Sequence, residues 1–494
     1  MKTLVKNFIG GKWVGAHSGR TFESRDPATG EVVGRCVDSG PEDIDEAVKA
    51  AGAAFEGWRR TPAPRRGEIL FRAAERLMRD KETMARTVTR EMGKVLTEGK
   101  GDVQEAIDMA YYMAGEGRRQ FGQVVPSELP DKSAQCVREP VGIVGLITPW
   151  NFPVAIPSWK TFPALILGNT VVLKPSPETP VTAALFVKVL EDCGVPPGVM
   201  NLVLGSGPEL GESLVRHPGV ALISFTGSMA TGGKVATEAA KLYKRVALEM
   251  GGKNAILVME DADLDLAVDG ITWSAFGTSG QRCTACSRLI VQKDVKERLI
   301  QMLLARMGKL QVGNGLKPGV DLGPLVNRTQ LDKVHQYVQV GQQEGARLLT
   351  GGKILSDSEY AKGHFYTPTL FDHVTPSMRV AKEEIFGPVL GIIGVKDLDE
   401  AVAVNDDVDY GLSTSIYTRD VNRAQRAVRD IRTAVVYVNA GTIGSEVHLP
   451  FGGMRRTGNG HREAGQAALD TFSEWKTIYV DYSGRLQRAQ IDKE

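Results

Sequence analysis

Cys283 stands in Gly277-Thr278-Ser279-Gly280-Gln281-Arg282-Cys283, a run of small residues that exposes backbone N–H groups and places a guanidinium beside a thiol. Both features favour thiolate, the nucleophilic form of cysteine, and predict a lowered thiol pKa. Taken alone, a cysteine is more often a buried core residue, so the nucleophilic and structural readings both stand until its partners are found. Cys283-Thr284-Ala285-Cys286 is also a C-x-x-C, which admits a redox pair or half of a zinc site. No second Cys or His pair completes such a site, and the seven His are scattered without H-E-x-x-H spacing, so no metal is expected. Neither G-x-S-x-G nor G-x-x-x-x-G-K-[ST] occurs, which argues against a serine hydrolase and a P-loop enzyme.

A second chemistry is dinucleotide binding. Phe225-Thr226-Gly227-Ser228, with Gly232 and Gly233 beyond, follows an apolar run and opens a helix, whose free N–H groups suit a pyrophosphate. A plain strand-to-helix turn reads equally well. Gly205-Ser206-Gly207 continues to Gly211, one residue later than G-x-G-x-x-G requires.

These residues need a scaffold. Ile44, Val48, Ala51, Phe55 and Trp58 recur at helical spacing behind Pro41-Glu42-Asp43, an amphipathic helix with an acidic first turn. Gln123 to Glu128 and Ser133 to Arg138 flank the turn cluster Leu129-Pro130-Asp131-Lys132 and read as a hairpin. From Gly142 to Phe225 short apolar runs alternate with helical ones, which implies βαβ units and a parallel sheet. Glu249-Met250-Gly251-Gly252 begins a second α/β stretch reaching about Pro450, and Trp475 to Tyr482 is an extended segment able to pair with the hairpin.

With 494 residues the chain has length for about three domains. Lys+Arg 60 against Asp+Glu 59 leaves a net charge of +1, so no global field favours nucleic acid or an anionic membrane. Five scattered cysteines fit a reducing compartment, and the start, with Lys2, Lys6 and Lys12, does not read as a signal peptide. A cytoplasmic protein is expected. The uncharged run Pro140 to Trp159 is broken by Pro149, Pro153 and Pro157 and reads as core, not as a membrane span.

Ile147-Thr148-Pro149-Trp150-Asn151-Phe152-Pro153, Phe225-Thr226-Gly227-Ser228, Leu248-Glu249-Met250-Gly251-Gly252-Lys253, Gly280-Gln281-Arg282-Cys283, Glu383-Glu384-Ile385-Phe386-Gly387-Pro388-Val389 and Pro450-Phe451-Gly452-Gly453 occur in one order and spacing. That pattern resembles the aldehyde dehydrogenase superfamily over essentially the whole chain. The resemblance implies an α/β fold: a Rossmann-like parallel-sheet NAD(P)-binding domain (1–121 and 141–250), an α/β catalytic domain (251–452) and a small β oligomerisation arm (122–140 and 470–494). It also implies a homodimer or homotetramer.

The resemblance implies roles residue by residue. Cys283 is the nucleophile toward a small-molecule aldehyde, Asn151 an oxyanion donor with the Cys283 N–H, and Glu249 the base that activates water. Thr148, Trp150, Lys174, Gly207, Gly211, Gly227, Ser228, Glu384 and Phe386 are implied to bind NAD or NADP. After Lys174 the chain reads Pro175-Ser176-Pro177-Glu178, whereas many NAD-specific members carry glutamate where Pro177 stands, so NADP use is expected beside NAD. Gly441 to His448 and Thr457 to Gly465 are similar to 2-oxoglutarate semialdehyde (2,5-dioxopentanoate) dehydrogenases and the antiquitin-like group. An ω-semialdehyde of a small acid is the implied substrate, received by Arg282 and Ser445, with Glu116 near the entrance and paired with Arg282. A broad-specificity or CoA-acylating enzyme, a cofactor-independent thiol esterase and a non-catalytic nucleotide-binding homologue are the alternatives.

Overall fold

Alternating apolar and amphipathic runs fold into two seven-stranded sheets. In the computed structural model, which describes residues 4–488 and 490–491, the first sheet runs Arg245–Met250, Leu222–Gly227, Ile143–Ile147, Thr170–Lys174, Met200–Leu202, Asn7–Ile9, Lys12–Val14. Its first five strands are parallel and the two N-terminal ones antiparallel. The chain steps outward from Ile143–Ile147 through Thr170–Lys174 to Met200–Leu202, then returns to lay Leu222–Gly227 on the other side of its starting strand. That reversal opens a crevice at the carboxyl ends of Ile143–Ile147 and Leu222–Gly227, where doubly wound sheets receive ligands.

The helices of this half are α1 (Pro41–Arg60), α2 (Ala63–Met92), α3 (Leu96–Glu116), α4 (Ala155–Ile166), α5 (Pro180–Asp192), α6 (Pro208–Arg216) and α7 (Met229–Ala240). α1 starts as its sequence predicts, with Gly40 N donating to Asp43 Oδ2 at 2.9 Å. It buries Ile44, Val48, Ala51 and Trp58, while Phe55 is half-buried. α3 packs on both α2 and α4, so it lies between the outer helix layer and the segment following Ile143–Ile147. Pro140 to Trp159 is not one helix: it supplies a strand, a loop and the start of α4. Among the described residues no helix is long and apolar enough to cross a membrane.

The second sheet runs Arg347–Thr350, Thr369–Asp372, Val389–Val395, Cys286–Gln292, Asn254–Val258, Ser413–Tyr417, Val435–Val438. Only its first edge strand is antiparallel. Residues 251–253 alone join the last strand of the first sheet to Asn254–Val258. A Cβ at Gly251 in this link would displace the Glu384 carboxylate, so glycine there lets that carboxylate approach the backbone.

The predicted hairpin is present as Gln123–Pro126 and Lys132–Pro140, and Ser473–Asp481 pairs along the whole second strand from Ser473 against Pro140 to Asp481 against Lys132. The alternation read in Trp475 to Tyr482 does not produce one buried face. Trp475, Tyr479, Val480 and Tyr482 are all at least half exposed.

Candidate active site

α8 (Leu264–Phe276) ends in a tight turn, Gly277–Gly280, in which Thr278 (φ 54°) and Ser279 (φ 55°) are left-handed. Two consecutive L-residues in that region cost on the order of 1–3 kcal/mol each, and a set of bonds holds them there. Thr278 N donates to Glu98 Oε1 at 2.7 Å, Ser279 Oγ to Gly323 O at 2.6 Å, and Val326 N to Gln281 Oε1 at 3.0 Å. Asn254 Nδ2 then donates to the carbonyls of Cys283 (2.7 Å) and Ala285 (3.0 Å). The thiol of Cys283 is thus delivered on a rigid loop just before the Cys286–Gln292 strand.

The expected lowering of its pKa is not what the structure has. Burial, with Glu384 and Glu249 nearby, pushes the Cys283 thiol up to about 12. Adjacency in sequence misleads here: the Arg282 guanidinium turns away to pair with Glu98 at 3.1 Å and stacks near the rings of Trp273 (4.9 Å) and Phe152 (5.4 Å). Cys286 is buried, and its Sγ donates to Arg288 O at 3.3 Å.

Asn151 follows Ile143–Ile147 and is buried, with Nδ2 donating to Gln281 O at 3.1 Å. It therefore stands against the nucleophile loop although it comes from the other sheet. Glu249, near the end of Arg245–Met250, is buried with neither carboxylate oxygen hydrogen-bonded. Burial and the neighbouring Glu463 hold its carboxyl well above the usual range, while Lys160 opposes them. Lys160 and Glu463 were not singled out from sequence. They form a buried ion pair beside Ser224, whose Oγ accepts from Lys160 Nζ at 2.8 Å. The one available signal is that Lys160 is the sole charge in the apolar helix α4, where an ammonium must have a partner.

Cys283 lines two cavities. One, of about 190 Å³, is also lined by Trp150, Asn151, Ser228, Glu384 and Phe386. Glu384 Oε1 accepts from Gly252 N at 3.2 Å, and its carboxyl is raised by burial against the pull of Lys333. Phe386, left-handed at φ 60°, meets Trp150 edge-on at 5.4 Å and is fixed by Gln330 Nε2 donating to its carbonyl at 2.7 Å. The other cavity, of about 70 Å³, is lined by Glu105, Phe152, Glu249, Arg282 and Ser445.

A cleft of about 810 Å³ opens by the first sheet, lined by Lys174, Gly211, Phe225, Thr231 and Lys234. Ser228 caps α7, accepting from Thr231 N at 3.3 Å. A Cβ at Gly211 would meet only Lys174 Cδ, at 3.9 Å. Burial draws the Lys174 ammonium down to about 8, and Nζ donates only to its neighbour Pro175 O. An under-partnered cation and a capped helix start fit the phosphates and ribose of a dinucleotide. Gly207 caps α6 and Gly227 lines the cavity of about 190 Å³ with Ser228. Thr148 is buried beside them, its N–H donating to Lys174 O at 3.2 Å.

Glu116 does not reach Arg282. It is buried at the far end of α3 and accepts from Arg119 Nη2 at 2.8 Å. The acid paired with Arg282 is Glu98 and the one lining the cavity is Glu105, which burial and Asp102 push up to about 7. Glu116 shares their face of the helix but stands eleven residues beyond Glu105, roughly 16 Å along the axis at 1.5 Å per residue.

The model of the aldehyde dehydrogenase family matches residues 13–478. The alpha-ketoglutaric semialdehyde dehydrogenase of Bacillus subtilis is 43% identical over 475 residues, covering 96% of this chain and 97% of its own. The 2,5-dioxopentanoate dehydrogenase of Saccharolobus solfataricus is 41% identical over 441 residues, covering 89% and 91%. Betaine aldehyde dehydrogenase from Staphylococcus aureus, solved in complex with NAD+, superposes with a TM-score of 0.95 at 34% identity, covering 98% of this chain and 95% of that one.

Proposed function

This chain belongs to the aldehyde dehydrogenase family, and from that premise we propose that it oxidises an ω-semialdehyde of a small acid, such as 2,5-dioxopentanoate, with NAD+ or NADP+. The observation that carries the reading is the position of Cys283 in the wall between two cavities, one bearing Glu384 and Phe386 and the other bearing Arg282, Glu105 and Ser445.

The Cys283 thiol, held protonated by its surroundings, gives up its proton to solvent as its sulfur attacks the aldehyde carbon. The oxyanion of the resulting thiohemiacetal is received by Asn151 Nδ2 and the Cys283 N–H, two donors aimed at developing charge. NAD(P)+, held by Lys174, Ser228, Glu384 and Phe386, would supply a hydride acceptor, and loss of hydride from the Cys283 adduct would leave a thioester. Glu249 then takes a proton from the water that hydrolyses this ester. Its presence weighs against a CoA-acylating enzyme, which needs no hydrolytic base.

On this reading the first sheet's unit binds the dinucleotide and the second carries the nucleophile. The anion of the substrate is received by Arg282 and by N–H and O–H groups of the Ser445 loop. The neighbouring Glu105, with its raised pKa, donates a hydrogen bond when protonated. The experiment is a reduced-nicotinamide absorbance assay over aliphatic, aromatic and acidic aldehydes with wild type, Cys283→Ala, Cys286→Ala and Arg282→Ala. Cys283→Ala is expected to abolish oxidation and Cys286→Ala to retain it. Arg282→Ala should lower kcat/KM for 2,5-dioxopentanoate by about tenfold or more beyond its effect on propanal, the loss of a charge-assisted bond. Preference for hexanal or benzaldehyde by wild type would remove the acidic substrate and leave only the family activity.

A further inference from the structure

α3 carries two buried carboxylates one turn apart, Glu98 and Asp102, and each reaches a different loop of the site. Glu98 Oε1 accepts from Thr278 N at 2.7 Å and from Arg282 Nη2 at 3.1 Å. It therefore holds both ends of the turn that presents Cys283. Asp102 Oδ1 accepts from Ala155 N at 2.7 Å and Val154 N at 3.3 Å, just past Asn151. Its Oδ2 accepts from the fully buried Lys94 Nζ at 3.1 Å, and that ammonium lies 3.7 Å from the centroid of the Phe152 ring. Directly to Val154 and Ala155, and through Lys94 to Phe152, this second set holds the segment that follows Asn151.

The oxyanion site is thus assembled from two loops of different sheets whose N–H groups converge on one helix. We infer that α3 is the rigid spacer that sets the separation of Asn151 from Cys283, with Glu98 and Asp102 as positioning residues for the established reaction. Two physical facts support this. A buried N–H in either loop would be orphaned without an acceptor, and a carboxylate, an acceptor with two oxygens, can hold two donors at once. A misplacement of about 1 Å between reacting and stabilising groups costs on the order of a hundredfold in rate, so a strained turn with two left-handed residues needs an external reference. α3 supplies one, being itself clamped between α2 and α4.

The inference rests on Cys283 acting as the nucleophile, and the test separates the two. Hydride formation is followed in a single turnover with the enzyme in excess over propanal, a neutral aldehyde that makes no use of the Arg282 charge. Glu98→Ala is expected to slow this step at least 30-fold, with the Kd for NAD+ changed less than twofold. Glu98→Gln, whose amide oxygen still accepts from Thr278 N, should restore the rate to within threefold of wild type. If Glu98→Ala does not fold, Glu98→Asp, one methylene shorter, carries the same test with at least a fivefold loss. A folded Glu98→Ala or Glu98→Asp with the wild-type hydride rate overturns the positioning role, as does a Gln variant no faster than Ala. Hydride formation by Cys283→Ala in the same assay would instead overturn the nucleophile, whatever the Glu98 variants do.

Discussion

At Cys283 the microenvironment dictates how reactivity must vary with pH. A thiol pushed up to about 12 is a minor thiolate at neutrality, and its fraction rises tenfold per pH unit below that value. Inactivation by iodoacetamide without cofactor should therefore climb about tenfold per unit from pH 7 to 9, and a plateau near pH 8 in the inactivation rate would contradict this. Glu249 makes a second prediction. Its folded-state pKa is raised, so the folded chain holds a proton that the unfolded chain has released. Stability from this group is then present below the ordinary carboxyl pKa of about 4.5 and falls as pH rises toward the folded value. Glu249→Gln, a neutral isostere, should melt above wild type at pH 8, with the difference closing toward pH 5 in calorimetry, while releasing one hydride per site and stalling at the thioester. Cys283, Asn151 and Glu249 could be put forward from sequence because motif and residue type coincide, and the fold brings all three to one site. The direction of the thiol shift could not be, since sequence places Arg282 next to Cys283 and only the fold shows its guanidinium paired with Glu98.

Among the elements, α3 shows what periodicity can and cannot reveal. Glu98, Glu105 and Glu116 fall on one face by helical spacing, so their common direction is legible. Which turn of the helix faces the cavity depends on where α4 and the nucleophile loop cross it, and nothing local encodes that. Lys160 and Glu463 are illegible for the same reason: their pairing spans 303 residues. The turn after Thr170–Lys174 gives a prediction of its own. With Pro177 in it, the nearest carboxylate, Glu178, is turned aside to accept from Asn327 Nδ2 at 2.8 Å. Glu212 and Glu238, which line the cleft, both face Arg216. No unpaired carboxylate among the described residues of that cleft opposes a 2′-phosphate, and Lys174 and Lys234 attract one. NADP+ should be used with kcat/KM within about tenfold of NAD+, and a preference for NAD+ above a hundredfold would show that another group supplies the repulsion.

For the whole molecule, the three-stranded arm sets the expectation of assembly. Its two outer strands have unpaired edges and its apolar side chains Val124, Trp475, Tyr479 and Tyr482 are exposed, a liability that proteins usually cover. We propose a homodimer or a dimer of dimers that buries them. Tyr479→Asp with Val480→Lys should then shift sedimentation toward smaller species, and a wild type that sediments as an active monomer would refute it. The arm and the two parallel sheets were legible in the alternation of runs and the turn cluster. How the sheets meet was not, because that contact is made by loops with no period.

The wall that the two cavities share has a consequence for how such a protein can change over time. Ile156, Thr226, Met250 and Cys283 line both, so a substitution at Ile156, Thr226 or Met250 alters the room on each side together. Glu105 and Ser445 border only one cavity, and Ser228 and Phe386 only the other. On the reading proposed above, a lineage can therefore exchange one aldehyde for another through the first pair while its nicotinamide contacts stay as they were, or the reverse through the second. Drift in both at once is confined to three neutral side chains around the thiol.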